Sequence, residues 1–593
     1  MRPVYRLALA LLFVAPLTAQ ALAAEPDAPQ ALITRTEAIR IAVQNRLSGK
    51  FTATTDHKKN EQGALVEYYS VPDQHLLWVD ENGLTERGKV VMAEIKKADD
   101  YGLRASDYAL PESDGFNASD DKAADWLADT EIKISFAVLD YANDARGGRI
   151  DPERLSPNLD PALALPNPSE VIDSIAIRSD PAAYLRSFQP DQPQFEALRQ
   201  KLIELRGGKV KDEADAKPVV KIPEGPVLKL GVQHEQVALL RKRLDMPSEN
   251  EDGTQVNETK FDAGVLEAVR QFQIAHGSVP DGMVGAGTRR LLNQQGQQPR
   301  EMGSPAKIRA VLLNMERWRW LPHDLGPLYV TANIPEFMLR VVKENEPIFT
   351  TRLVVGKTDK QTPIFSDEMQ TIVFGPFWNV PTSIKVEEIK PYLREEAAWF
   401  FGGGGWNTSV FQRHNLRVKY GGREVDPGAV DWNRIDIRNT EIYQPPGPGN
   451  VLGRVKFLFP NKHDVYMHDT PQKHLFAKPV RAESHGCMRV QNPDQLAAVL
   501  LKHDQGWGQA RLTSALENGY DEHVALRQKI PVYVTYFTLR VNEDGSISTF
   551  GDLYGHDARM AAALKLSQPA AAPTATAPVW RSRSGFTPWA PGN

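Results

Sequence analysis

Apolar side chains recur at helical spacing through the first third of the chain and give way to short, β-branched, partly alternating runs in the second half. Val90, Val91, Ala93 and Ile95, then Ile132, Ile134, Phe136, Ala137, Leu139 and Tyr141, predict helices of a platform over residues 36–206, punctuated by turns at Gly147-Gly148 and Asp151-Pro152. A charged, Gly/Pro-bearing linker is expected over residues 207–226. A compact unit over residues 227–295 follows, in which Val237, Leu240 and Leu244 mark one helix, Val265, Val269 and Phe272 a second, and Asp281-Gly282 a turn into a third. A connecting helix over residues 306–325 leads to strands predicted at 328–332, 337–342, 351–355, 455–459, 465–467 and 532–539. Residues 385–452 break the strand pattern with four glycines at 402–405, set between Trp399 and Trp406, and a Pro/Gly run at 444–450. They read as an inserted cap with loops of its own. No Lys-Ser/Thr pair follows the glycines, which argues against a phosphate cradle. Residues 557–593, rich in Ala, Pro, Thr and Ser without periodicity, are expected to form a disordered tail.

Composition adds two constraints. With 593 residues, 41% of them hydrophobic, the chain is long enough for three or four domains of about 150 residues each. A net charge of −5 gives no bulk electrostatic reason to expect a nucleic-acid partner. The amino terminus carries Arg2 and Arg6, then an apolar run over residues 7–17, then Ala19, Ala21, Ala23 and Ala24. This is the layout of a secretory signal over residues 1–24, with cleavage after Ala23 or Ala24 and a retained anchor as the alternative. An exported chain with one cysteine has no intramolecular disulfide to form, so that thiol is either inert and buried or reactive.

The cysteine, Cys487, follows Ser484, His485 and Gly486, and Arg489 lies two residues beyond it. A thiol attacks only as thiolate, so a base must be near. His468, nineteen residues upstream at the end of a predicted strand, is returned to it if the intervening loop doubles back. Successive amides at Gly486 and Cys487 are candidate oxyanion donors. A metal site built from His463, His468, His474, His485, Asp464 and Asp469 is the competing reading, but their spacing fits no metalloprotease or paired-Cys pattern.

Two resemblances bear on these residues. The stretch from Leu228 to Asn293, through "VALLRKRL", "FDAGVLEAVRQFQIAHG" and "DGMVGAGTRRLLN", resembles the three-helix peptidoglycan-binding module of cell-wall enzymes. "HDTPQKHLFAKPVRAESHGCMRV", with "VVGKTDKQTPIFS" and "FGPFWNVPTSI" upstream, resembles the L,D-transpeptidase catalytic domain, and the order of parts resembles the large periplasmic L,D-transpeptidases. Gly375 departs from the pattern, because relatives often carry Asn there. The resemblance implies a multidomain α+β protein: a mostly β catalytic sandwich over residues 326–540 with the cap inserted, a peptidoglycan-binding module and a helical scaffold domain. It implies Cys487 as nucleophile, His468 as general base, and Asp469 orienting His468 through its backbone carbonyl, with its carboxylate as the competing orienter. Gly486 would supply the oxyanion amide and His485 oxyanion or loop support. Arg489, Tyr466, Ser484 and Trp378 are the candidates to meet substrate; a structural salt link under the loop is the equal alternative for Arg489, core packing for Trp378 and Tyr466, and Ser484 is also expected to fix the loop by hydrogen bonding, with the Tyr466 hydroxyl a further oxyanion donor.

The implied reaction forms 3-3 peptidoglycan cross-links through a thioester and releases D-Ala, and carbapenems are expected to acylate the same thiol. The alternatives are an L,D-carboxypeptidase, a hydrolase of wall-attached lipoprotein, and a non-catalytic wall-binding adaptor. No cofactor or metal is implied. Peptidoglycan stem peptides and glycan are the expected partners, peptidoglycan synthases further ones. Neither nucleic acid nor a membrane span after signal cleavage is expected.

Overall fold

The computed structural model describes residues 34–49, 55–72, 74–112, 122–207, 220–244, 246–248, 255–275, 281–294, 304–396 and 405–566. The expected leader, most of the 207–226 linker, Trp399, three of the four clustered glycines and residues 567–593 of the expected tail lie outside the described residues. Among the described residues no helix is long and apolar enough to cross a membrane.

The amino-terminal helices Arg35–Ser48, Asp56–Ser70 and Glu86–Ile95 each begin at a threonine whose hydroxyl accepts an amide of the first turn, Thr34, Thr55 and Thr85. They pack around the long helix Ala123–Gly147, whose Ile134, Ala137, Val138 and Tyr141 are buried in their shared core. Inside that core the carboxylate of Glu131 accepts from the amides of Trp78 and Val79 and from the Tyr69 hydroxyl, so a buried acid pins a stretch of irregular chain. This region is less separate than the sequence predicts. Its strand Leu159–Asp160 joins the carboxy-terminal sheet in parallel, and its helix Pro193–Gly207 packs on the connecting helix Ser304–Trp318.

Residues 220–294 hold the helices Glu235–Arg243, Ala263–Ala275 and Ala286–Gln294 around a small core of their own, with Val237, Leu240, Val265, Val269 and Leu292 in it. Ile222 is fully buried in that core, so the last residues assigned to the linker belong to this unit.

The carboxy-terminal sheet has ten strands. In chain order these are β1 (Leu159–Asp160), β2 (Leu328–Asn333), β3 (Met338–Lys343), β4 (Glu346–Gly356), β5 (Ile364–Phe374), β6 (Val455–Leu458), β7 (Met467–His468), β8 (Ala482–Ser484), β9 (Met488–Val490) and β10 (Glu522–Thr535). The path runs β6-β7-β9-β4-β3-β2-β10-β5-β1, with β8 on β4, and β6 also pairs β5. The expected sandwich is therefore one hydrogen-bonded circuit that closes on itself around a common core, not two independent sheets. Val330, Leu339, Val355, Ile372, Phe457, Met467, Met488 and Val532 all face that core.

Two strands outrun the prediction because their ends are polar and exposed on one face: β4 starts at Glu346 and β10 at Glu522. The cap also begins earlier than residue 385. Trp378–Asn379 already pairs with Glu441–Gln444 in a four-stranded sheet that continues through Arg417–Tyr420 and Arg423–Val425, and Trp378 sits in the cap's own core. The expected tail is shortened as well. Residues 556–563 form the helix His556–Ala563, whose Met560 and Ala561 are buried against the sheet, an apolar face that the local composition does not advertise.

Candidate active site

Strands β7 and β9 run parallel, with Met467 opposite Met488 and His468 opposite Arg489. Parallel neighbours cannot be joined by a tight turn, so the chain crosses over between them. The crossover is anchored where Leu475 and Phe476 pack on Val354. Side chains alternate across a strand. Since Phe457, Met467 and Met488 are buried in the core, their neighbours Lys456, Tyr466, His468, Cys487 and Arg489 share the opposite face. The eighteen residues between His468 and Cys487 are thus folded out, and the two stand as diagonal neighbours at adjacent strands.

His468 is nearly buried at 5% exposure. Its Nδ1 lies 2.5 Å from the backbone carbonyl of Asp469. A carbonyl only accepts, so Nδ1 carries the hydrogen and the neutral ring keeps its lone pair on Nε2. The Asp469 carboxylate is engaged elsewhere, with the Thr470 amide at 2.6 Å, the Arg454 amide at 2.9 Å and Lys473 Nζ at 2.5 Å. Burial, then the Arg489 and Lys456 cations, push the His468 pKa down to about 3. Burial also pushes the half-buried Cys487 thiol up, against hydrogen bonds from the Tyr466 amide and hydroxyl and the fields of Lys456 and Arg489. At neutral pH the pair is therefore a neutral imidazole beside a neutral thiol.

The oxyanion roles expected of Gly486 and His485 do not match the geometry, whereas the loop-fixing role expected of Ser484 does. The Gly486 amide is already turned back into the loop, donating to Ser484 Oγ at 3.3 Å, because Gly486 holds φ at +113°. Ser484 is buried, and its hydroxyl donates to the Cys487 carbonyl at 2.6 Å; it braces the loop and does not face the cleft. His485 points away from the oxyanion position, with Nε2 2.7 Å from Glu388 of the cap. The hydroxyl of Tyr466, the other expected oxyanion donor, faces the Cys487 sulfur and receives a hydrogen bond from Trp378, itself buried in the cap core.

A cleft of about 540 Å³ lies between the cap (Ile384, Glu388, Arg413) and the crossover (Gln472, His485), with Arg489 of this face in its wall. Arg489 Nη1 donates to Gln472 Oε1 at 2.6 Å, while its buried Nε has no hydrogen-bond partner. Among the described residues no carboxylate pairs with Arg489, so the structural salt link that would account for an arginine here is missing. His463 is drawn to Asp160 at 2.8 Å, and the described residues contain no cluster of three His, Cys, Asp or Glu side chains placed to hold a metal.

Sequence reasoning missed Lys456 and Glu388. Strand alternation from the apolar Val455 and Phe457 could have put Lys456 on the outer face, but not beside Cys487. Glu388 carried no signal, because it reaches the site from an insertion. Gly375, the departure from the family pattern, also has a reason: at φ +55° a Cβ there would lie 2.0 Å from the Gly519 carbonyl oxygen.

Residues 327–507 match the family model described as the L,D-transpeptidase catalytic domain, and residues 63–202 match one described as a scaffold domain. A curated protein of Haemophilus influenzae named "Putative L,D-transpeptidase" is 30% identical over 246 residues, 41% of this chain and 47% of the relative, so the chain spans about half the length of that relative. Among solved structures, an L,D-transpeptidase from Mycobacterium smegmatis is 12% identical with a TM-score of 0.17, covering 35% of this chain and 58% of that one. One from Xylanimonas cellulosilytica is 13% identical with a TM-score of 0.17, covering 53% and 98%. The Cys487 and His468 face therefore lies inside the segment, residues 327–507, that matches the L,D-transpeptidase catalytic domain.

Proposed function

We propose that this protein is an exported, periplasmic L,D-transpeptidase that makes 3-3 cross-links in peptidoglycan through a thioester on Cys487. The observation that carries the reading is the common face of Cys487, His468 and Tyr466 beneath a cleft lined by Arg489. His468 Nε2 takes the thiol proton as Cys487 Sγ attacks the carbonyl joining the third stem residue, diaminopimelate, to the terminal D-Ala. The Cys487 amide and the Tyr466 hydroxyl stabilise the oxyanion. Collapse breaks the amide bond, the His468 imidazolium returns its proton to the leaving D-Ala amine, and the thioester remains. The side-chain amine of a second stem's diaminopimelate then attacks, loses a proton to His468 and frees the thiol. Arg489, with an unpartnered Nε and no competing carboxylate, is suited to a stem carboxylate. The unit at residues 227–295 would hold the enzyme on the wall.

The test is mass spectrometry of products from tetrapeptide muropeptides. Tripeptide–tetrapeptide cross-linked dimers with free D-Ala support the reading, and tripeptide without dimers would replace it with an L,D-carboxypeptidase. Cys487→Ala should abolish D-Ala release and should not form the mass adduct that a carbapenem leaves on the unaltered chain. Turnover in that variant would eliminate the thiol mechanism.

A further inference from the structure

Lys456 stands on β6 opposite His468, on the face that carries Cys487. Its Nζ lies 4.0 Å from the centroid of the Tyr466 ring, and the Tyr466 hydroxyl meets the thiol. The side chain is half-buried, and the anionic groups whose fields reach it are the Cys487 sulfur and, without an ion pair among the described residues, the carboxylate of Asp521. A desolvated ammonium without a paired anion is costly, and a strand needing only packing here would be served by an apolar side chain. The missing anion is one the reaction makes.

Resting on the reading of Cys487 as nucleophile, we propose that Lys456 is a positioning residue for acylation: its ammonium, seated over Tyr466, favours the Cys487 thiolate over the thiol. The charged and titratable groups around the sulfur divide by sign. Lys456 from β6 and Arg489 from β9 favour the thiolate. Asp464 in the loop before β7, Glu483 on β8 and Asp521 just before β10 oppose these cations. Tyr466 donates to the sulfur, His468 is neutral, and His485 is paired with Glu388. The same ammonium disfavours a lasting imidazolium on His468, which speeds return of the proton to the leaving amine.

The readout needs no substrate. Cys487 is the only thiol, so intact mass after iodoacetamide treatment reports its alkylation alone, and the pH midpoint of the rate reports the thiolate. In Lys456→Met the midpoint should rise by about one pH unit, with alkylation at pH 7 roughly tenfold slower. Lys456→Arg, which restores the charge, should stay within about twofold of the parent. Lys456→Gln keeps polarity and serves if the methionine variant does not fold, with the same upward shift expected. A parental midpoint in the Met or Gln variant overturns the proposal, as does an equal upward shift in the Arg variant. Failure of the parent to release D-Ala would overturn the transpeptidase reading and leave the alkylation result standing.

Discussion

At Cys487 two opposing effects are superimposed: burial disfavours the thiolate, while Lys456, Arg489 and the Tyr466 hydroxyl favour it. His468 is held neutral because it is buried among cations, with its pKa down at about 3 against an ordinary value near 6.5. The sign fixes the pH behaviour of acylation. The imidazole is already a free base everywhere above about pH 3, so no histidine limb should cross the neutral range. Carbapenem acylation of the thiol, followed by intact mass, is expected to climb with the thiolate fraction as the pH rises, with no separate inflection between pH 6 and 7. A rise with a midpoint between pH 6 and 7 would show that His468 titrates there and would contradict the buried, neutral base.

At the scale of elements, the cap is tied to the catalytic loop by two neighbouring acids on its π-helical turn Lys385–Ile389. Glu388 pairs with His485 at 2.7 Å, and Glu387 pairs with Lys360, on the loop between β4 and β5, at 2.9 Å. Glu388 is held below the usual carboxylate range, first of all by its hydrogen bond to His485. A part-exposed pair is worth about 1 kcal/mol, enough to favour a closed cleft without locking it. Glu388→Gln should therefore raise KM for the tetrapeptide donor about three- to fivefold and leave kcat within twofold, because no reacting atom is touched. Steady-state kinetics decide the matter: an unchanged KM would mean that the pair does not hold the cleft, and a collapse of kcat would place Glu388 in the chemistry.

For the molecule as a whole, the ends of the chain are sewn into the catalytic sheet. β1 comes from the amino-terminal helical region, and His556–Ala563 packs beneath the sheet, with Arg317 of the connecting helix on Asp557 at 2.6 Å. His556 at the start of that helix is fully buried among Tyr536, Tyr554 and Arg559, and its pKa is pushed down to about 4 by burial and the neighbouring Arg317 and Arg559. A histidine whose folded pKa lies below its unfolded value binds fewer protons when folded. Stability is thus unaffected above about pH 6.5 and falls as the pH drops towards 4, by up to about 3 kcal/mol. His556→Phe removes that term, so the melting temperature of the variant relative to the parent should improve steadily between pH 6.5 and 4. A difference that stays constant across this range would refute the assignment.

Sequence by itself determined the kinds of element along the chain and nominated the candidate chemistry. Helical spacing marked the platform, β-branched runs marked six of the strands, and a lone cysteine after Ser-His-Gly with an upstream histidine nominated the candidate nucleophile and base. These are local signals, carried by residue type and short-range periodicity. What only tertiary structure decided depends on pairing between distant segments. Parallel pairing of β7 and β9 turned eighteen intervening residues into adjacency, and register put Lys456 and Tyr466 on the face of Cys487. A backbone angle at Gly486 took its amide out of the oxyanion role, and an insertion delivered Glu388 to His485. The closure of the sheet by β5 and β6, the capture of β1 from the platform and the docking of His556–Ala563 were equally illegible, since each depends on which surfaces remain open once the rest has folded. Periodicity tells a side chain which way to face, and only the packed chain tells it what it will face.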